Sequence, residues 1–212
     1  MTFLELCQRL RQEVGAAGTG PAAVTGQHGE YQRLIGWVAQ AWREIQLERR
    51  NWRFAWAEAS VALDPDFREY SPPADIDRWD AATLRAGSHP LVELEWEIFR
   101  ERYRSDSGRD HPTVITRMPN GNLRLDTPPP AANTTLSFEY FRTPQTLAAN
   151  GDTPRMPGHY HMLIVYRAML SYALYENAPE VAQKAQRGEQ SVMTAMEHAE
   201  LPAMDVFGGP VA

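Results

Sequence analysis

Residues 159–178 read HYHMLIVYRAMLSYALYENA, and their pattern decides how the rest of the chain is organised. Leu163, Tyr166, Leu170 and Ala173 fall on one side of a helix, and Met162, Val165, Met169 and Tyr172 fall on another. A helix that is apolar on two faces has to be buried on two sides, in a core or against a neighbouring subunit. Pro157 and Gly158 precede it. Pro179 then opens a last helix at a position where a missing N–H costs nothing. That helix has one apolar stripe, formed by Val181, Ala185, Val192, Met193 and Met196. A helical bundle centred on residues 159–178 is the expectation.

The first third of the chain supplies partners for it. Thr2 and Glu5 form a capping box, and Phe3, Leu6, Cys7, Leu10 and Val14 recur at helical spacing until Gly15. Residues 15–29, GAAGTGPAAVTGQHG, are rich in glycine and nearly uncharged, which predicts a long loop; loops of this length usually touch something. From Glu30 the spacing of Tyr31, Leu34, Ile35, Val38, Ala41, Trp42 and Ile45 predicts an amphipathic helix, with Trp37 on a second face.

Between the two helical parts the period changes from helical to alternating. Phe54, Trp56, Val61 and Leu63 are strand-like, up to the Ser-Pro-Pro of 71–73. Asp75 to Trp79 reads as a turn of helix or an extended lead-in. Ala82–Ala86 and Leu91–Phe99 around a Gly-Ser-His-Pro turn read as a hairpin, with a helix over Glu93 to Tyr103 as the alternative. Thr113–Arg117 and Leu123–Asp126 flank the turn residues Pro119 to Asn122, and Thr135 to Phe141 alternates through Leu136, Phe138 and Tyr140. Antiparallel strands are expected there. The fold class is therefore α+β in a single domain, with a bundle of two N-terminal and two C-terminal helices (1–50 and 157–200), a β-rich insertion over 51–156 and a flexible tail over 201–212.

Composition bounds the chemistry. The 212 residues are 43% hydrophobic and 23% charged, with a net charge of −6, an ordinary globular balance. An acidic chain lacks the concentrated positive face that avid nucleic-acid binding needs. Met162 to Tyr166 is the longest uncharged apolar candidate and Arg167 interrupts it, so no transmembrane helix is expected. Charges run through MTFLELCQRLRQEV, so residues 1–14 do not read as a signal peptide, and synthesis in a cytoplasm is expected. The single cysteine, Cys7, has no partner for an internal disulfide and sits at core spacing.

No arrangement of residues marks a reaction. There is no GxSxG, HExxH, GxxxxGK[ST] or GxGxxG. The pair His159 and His161 has no third ligand marked, so no metal or cofactor is expected. Asp64/Asp66, Asp75/Asp77 and Glu93, Glu95, Glu97 alternate as a solvated face does. A small accessory hydrolase using Asp75, Asp77 or Glu93 has only the presence of carboxylates behind it. Arg43, Arg49, Arg50 and Arg53 around Trp42, Trp52 and Trp56 interleave cations with aromatics, the composition of a DNA-binding module. The core role of Trp42 and the usual arginines of a helix C-terminus explain the same residues.

The order of elements carries a resemblance. WVAQAWREIQ (37–46) is followed by NWRF (51–54), PADIDRW (73–79) and SHPLVELEW (88–96). NLRLDTPPPAANTTLSFEYFRTPQTL (122–147) and DTPRMPGHYHMLIVYRAMLSYALYENAPE (152–180) come next. This succession resembles the tailed-bacteriophage head-to-tail adaptor proteins, also called connector, head-completion or tail tubular protein A-like proteins. The resemblance covers roughly residues 1–202, and its most telling part runs from Leu123 to Glu176.

What the resemblance implies is a structural virion protein at the head-tail junction with no enzymatic role. It implies a homo-oligomeric ring, commonly dodecameric, joining portal to tail or nozzle protein. Such a ring retains packaged double-stranded DNA and later lets it pass. Another neck ring protein, a tail terminator or stopper, is the near alternative. On this reading Leu201, Pro202, Val206, Phe207 and Val211 contact the portal. Trp37, Met162, Val165, Met169 and Tyr172 form the subunit interface, because a helix buried on two sides suits a closed ring of heterologous contacts. A net negative protein past which DNA slides is also expected to avoid phosphate clamps.

Overall fold

The computed structural model describes residues 1–105, 108, 110–131 and 134–202, and the chain divides into two compact units, Met1–Ala55 with Pro144–Ala212, and Trp56–Thr143. The described residues form an α+β fold with five α-helices.

The first unit is helical: α1 (Phe3–Glu13), α2 (Gly29–Glu48), α4 (Met162–Glu176) and α5 (Pro179–Glu200). Both halves of the Thr2/Glu5 capping box are made, and the loop at 150–152 adds to it, since Phe3 and Leu4 donate their N–H groups to the carbonyls of Asp152 and Asn150. Leu6, Cys7 and Leu10 of α1, Leu34, Val38, Trp42 and Ile45 of α2, and Leu163, Ile164, Val165 and Met169 of α4 are fully buried in one cluster. Helix α4 packs on α1, α2 and α5, so both of its apolar faces are filled within its own unit. Asn177 ends it in the left-handed conformation (φ 53°), which asparagine tolerates. Arg167, half-buried on α4, ties three helices together by donating to Glu48 of α2 (2.7 Å) and Glu189 of α5 (2.6 Å).

The glycine-rich segment is a loop, as expected, and it lies folded against α1. The Arg11 guanidinium donates to the Ala17 carbonyl and pairs with Glu30, and the Gln8 amide donates to the Pro21 carbonyl. Gly20 (φ 93°) comes so close that a Cβ there would meet the Gln8 backbone at 3.1 Å, so only glycine suits the site. Val24 is buried, and its N–H donates to the Asn150 side chain.

The second unit contains two sheets. The first is ordered β1 (Trp56–Ala62), β9 (Thr135–Arg142), β4 (Arg85–Ala86), β5 (His89–Pro90), and β3 (Ile76–Trp79) shares the β4 edge of β9. The second is ordered β2 (Glu69–Tyr70), β8 (Leu123–Leu125), β7 (Val114–Arg117), β6 (Val92–Glu93). Leu136, Phe138 and Tyr140 of β9 point inward with Ala57 and Ala59 of β1, Trp79 and Leu84. In the β7–β8 turn Gly121 has φ 89° and the Asn122 N–H donates to the Asn120 side chain (3.0 Å), so the turn is made by the residues that predicted it.

Residues 76–79 take the extended alternative, as a strand, because β9 is long enough to pair with β3 beyond the end of β4. Three expectations are corrected. The hairpin around Gly87 is only two residues deep, and a fifth helix, α3 (Trp96–Arg102), takes the alternative reading because Phe99 needs its face for burial. The strands are not all antiparallel, since β6 runs parallel to β7 after α3 turns the chain back. In β1 the small residues Ala57 and Ala59 face inward, and Trp56 stands 40% exposed with its indole N–H on Glu139 (2.9 Å).

Candidate interaction surfaces

Most residues singled out for chemistry are occupied in structural work. His161 is buried: its Nε2 donates to the Met156 carbonyl (3.1 Å), and its Nδ1 accepts from the α-amino group of Met1 (2.7 Å). Burial and the neighbouring positive charge hold its pKa below the ordinary value, so the ring is neutral with the proton on Nε2. His159 lies instead against the Tyr160 ring. Among the described residues no group of three His, Cys, Asp or Glu is placed to hold a metal. Cys7 is fully buried, and burial pushes its thiol up to about 12, so it is an unreactive core group.

The acidic residues do not converge. Asp75 accepts from Tyr140 and pairs with Arg142, Asp64 caps its own turn through the Asp66 N–H, and Glu93 lies exposed on β6. The arginine run is likewise dispersed. Arg49 pairs with Glu197 and Arg53 donates to the Ala199 carbonyl, which secures the end of α5, while Trp42 and Trp52 are buried and stack on Phe54. For Trp42 and Trp52 the aromatic interleaving read in the sequence is core packing, whereas Trp56 stands exposed on β1.

The surface that remains apolar lies on the helical unit. Trp37 of α2 meets Tyr172 edge-on at 5.9 Å and Tyr175 at 5.7 Å, and the Arg33 guanidinium lies 4.5 Å above the Tyr175 ring. Beside them Leu174 is 86% exposed and Tyr175 55% exposed. Accessible aromatics in edge-on and tilted contact, with an exposed leucine on the neighbouring face of α4, are what an interface anchor requires. Of the five residues read as a subunit interface, Trp37, Met162 and Tyr172 are half-buried and keep accessible surface, whereas Val165 and Met169 are fully enclosed by this unit's own helices. The sequence reading did not single out Tyr175 and Leu174; the signal is the repeat of tyrosines at 172 and 175.

A second concavity of about 640 Å³ on the same unit lies between the outer side of α2 at Gly36, Arg43 and exposed Leu47 and the segment 144–147. Leu201 is half-buried and Pro202 exposed at the end of α5, whereas Val206, Phe207 and Val211 lie outside the described residues. No helix of the described residues is long and apolar enough to cross a membrane.

No curated protein matches the chain. The family model described as SU10 adaptor protein does, and it spans residues 1–212, the whole chain. The chain therefore belongs to the SU10 adaptor protein family, a family of phage head-to-tail adaptors, and is a structural protein of the virion that such a family pairs with portal and tail proteins.

Proposed function

We propose that this protein forms a homo-oligomeric ring that joins the portal of the capsid to the tail, retains packaged DNA and lines part of the channel through which it is ejected. The observation that carries this reading is family membership along the whole chain. The aromatic surface of α2 and α4 supports the ring. Trp37, Tyr172 and Tyr175 with Leu174 offer a rigid apolar anchor, and a contact of this kind repeated head-to-tail around an axis closes on itself. Met162 extends this surface in the proposed contact. The C-terminal residues Leu201, Pro202, Val206, Phe207 and Val211 are assigned to the portal.

Antibody labelling of purified virions under negative stain tests the reading. Label at the head-tail junction is the expected result; virions that lack the protein would overturn it. Leu174→Asp tests the ring surface separately. A folded protein that no longer assembles on portals is expected, and unchanged assembly would remove α4 from the interface.

A further inference from the structure

In an acidic protein a local cluster of arginines needs a reason, and the described residues of the second unit hold one. A groove of about 600 Å³ lies between α3 and β8, lined by Arg100, Arg104 and Arg124 with Trp96 and Tyr103, and among the described residues its lining contains a single carboxylate, Glu101. Helical spacing explains half of this arrangement. Trp96, Arg100 and Tyr103 follow one another at four and three residues and share one line of α3, while Glu97 and Glu101 lie about a quarter turn away. Trp96 and Phe99 stack at 6.3 Å, and Phe99 is buried, so the wall that carries Arg100 is fixed in place.

The sheet supplies the floor. Arg124 lies opposite Glu69 of β2 and opposite Thr116 of β7 in the strand register. Its Nη1 reaches Glu69 at 3.2 Å, but its Nε is buried without a hydrogen-bond partner. The hydroxyl of Thr116, a fully buried residue, also has none. Both atoms are enclosed, so an incoming ligand meets the exposed guanidinium groups of Arg100 and Arg104 first, with Arg124, already paired with Glu69, beneath them. A guanidinium fork matches a phosphate oxygen pair, and arginine beside an aromatic ring is the composition of grooves that follow a nucleic-acid backbone.

We propose that the groove between α3 and β8 takes the phosphodiester backbone of DNA, held by Arg100 and Arg104 at the rim and Arg124 at the floor. The groove belongs to the second unit and the aromatic surface to the helical unit. The groove qualifies the expectation that an acidic protein avoids phosphate clamps. Three contacts give a slope of only about −2.7 in log affinity against log salt, a hold that physiological salt loosens and that lets a duplex move.

The test is fluorescence anisotropy of the full chain with a labelled duplex of about 30 base pairs across a salt series. Binding at low salt, falling about twentyfold for each threefold rise in salt, is expected. The charge reversals Arg100→Glu and Arg104→Glu together are expected to weaken it at least about tenfold, while Arg43→Glu, on the exposed side of α2, leaves it unchanged. Both reversed arginines are exposed, so the fold survives, and Arg124→Gln then reports the floor. Absence of binding at low salt, or binding indifferent to the double reversal, would overturn the proposal. So would displacement of the duplex by polyglutamate at equal charge, which would give the groove to an acidic protein segment.

Discussion

Trp42 and His161 are both large, buried and polar at one atom, yet they contribute differently. Trp42 has no exposed surface, lies 5.7 Å from the Phe54 ring, and leaves its indole N–H without a partner. Its contribution is volume. Trp42→Ala is expected to cost about 3–5 kcal/mol in denaturant unfolding, as other large aromatic truncations do; a loss below about 1 kcal/mol would make the residue peripheral. His161 contributes a protonation state. Its folded pKa lies below the ordinary 6.5, mainly because burial penalises the charged ring. The unfolded chain therefore binds a proton in a window where the folded one does not. Stability from this group is complete above 6.5 and is lost as pH falls below it. The melting temperature is expected to fall as pH drops below about 6.5, and His161→Gln is expected to flatten that dependence; an unchanged slope would place the titration elsewhere.

Helices α4 and α5 pack more closely than any other pair, and a single glycine permits it. Gly188, mid-way along α5, stands so close to the Tyr166 ring of α4 that a Cβ would come within 2.7 Å of it. Glycine inside a helix normally gives up about 1 kcal/mol against alanine. Here Gly188→Ala is expected to reverse that sign and lower stability by about 1 kcal/mol or more, read as a shift in the denaturation midpoint. A stabilised variant would mean that Tyr166 swings aside freely. At this scale the sequence was legible where one residue type recurs at one period, as in α1, α2 and β9. It was ambiguous at residues 91–99, where leucine, tryptophan and isoleucine suit a strand as well as a helix, and only the burial of Phe99 chose between them.

For the whole molecule, the buried core of the helical unit ends with Met196, and Leu201 only packs against its edge. Truncation after Leu201 is therefore expected to leave a folded protein, because the cluster of described buried residues closes with Met196. Portal docking, measured by co-sedimentation with purified portals, is expected to fall sharply. Undiminished docking would move the portal contact elsewhere on the protein. The same variant is expected to keep the aromatic surface of α2 and α4, so its self-assembly separates the two proposed contacts.

The sequence by itself determined the helices of the bundle, the long strand β9, the turn at Asn120 and Gly121, and the absence of catalytic motifs. Each of these is written in local spacing or in a residue type that one backbone conformation demands. The tertiary structure alone decided which apolar residues stay accessible. Val165 and Met169 looked like interface residues by period, yet α1, α2 and α5 enclose their helix, leaving Tyr175 and Leu174 outside. It also decided that arginines from α3 and from β8, separate in the chain, line one groove. Local periodicity sets which faces of an element are apolar or charged; which neighbour covers each face depends on contacts between residues far apart in sequence, and no window along the chain contains them.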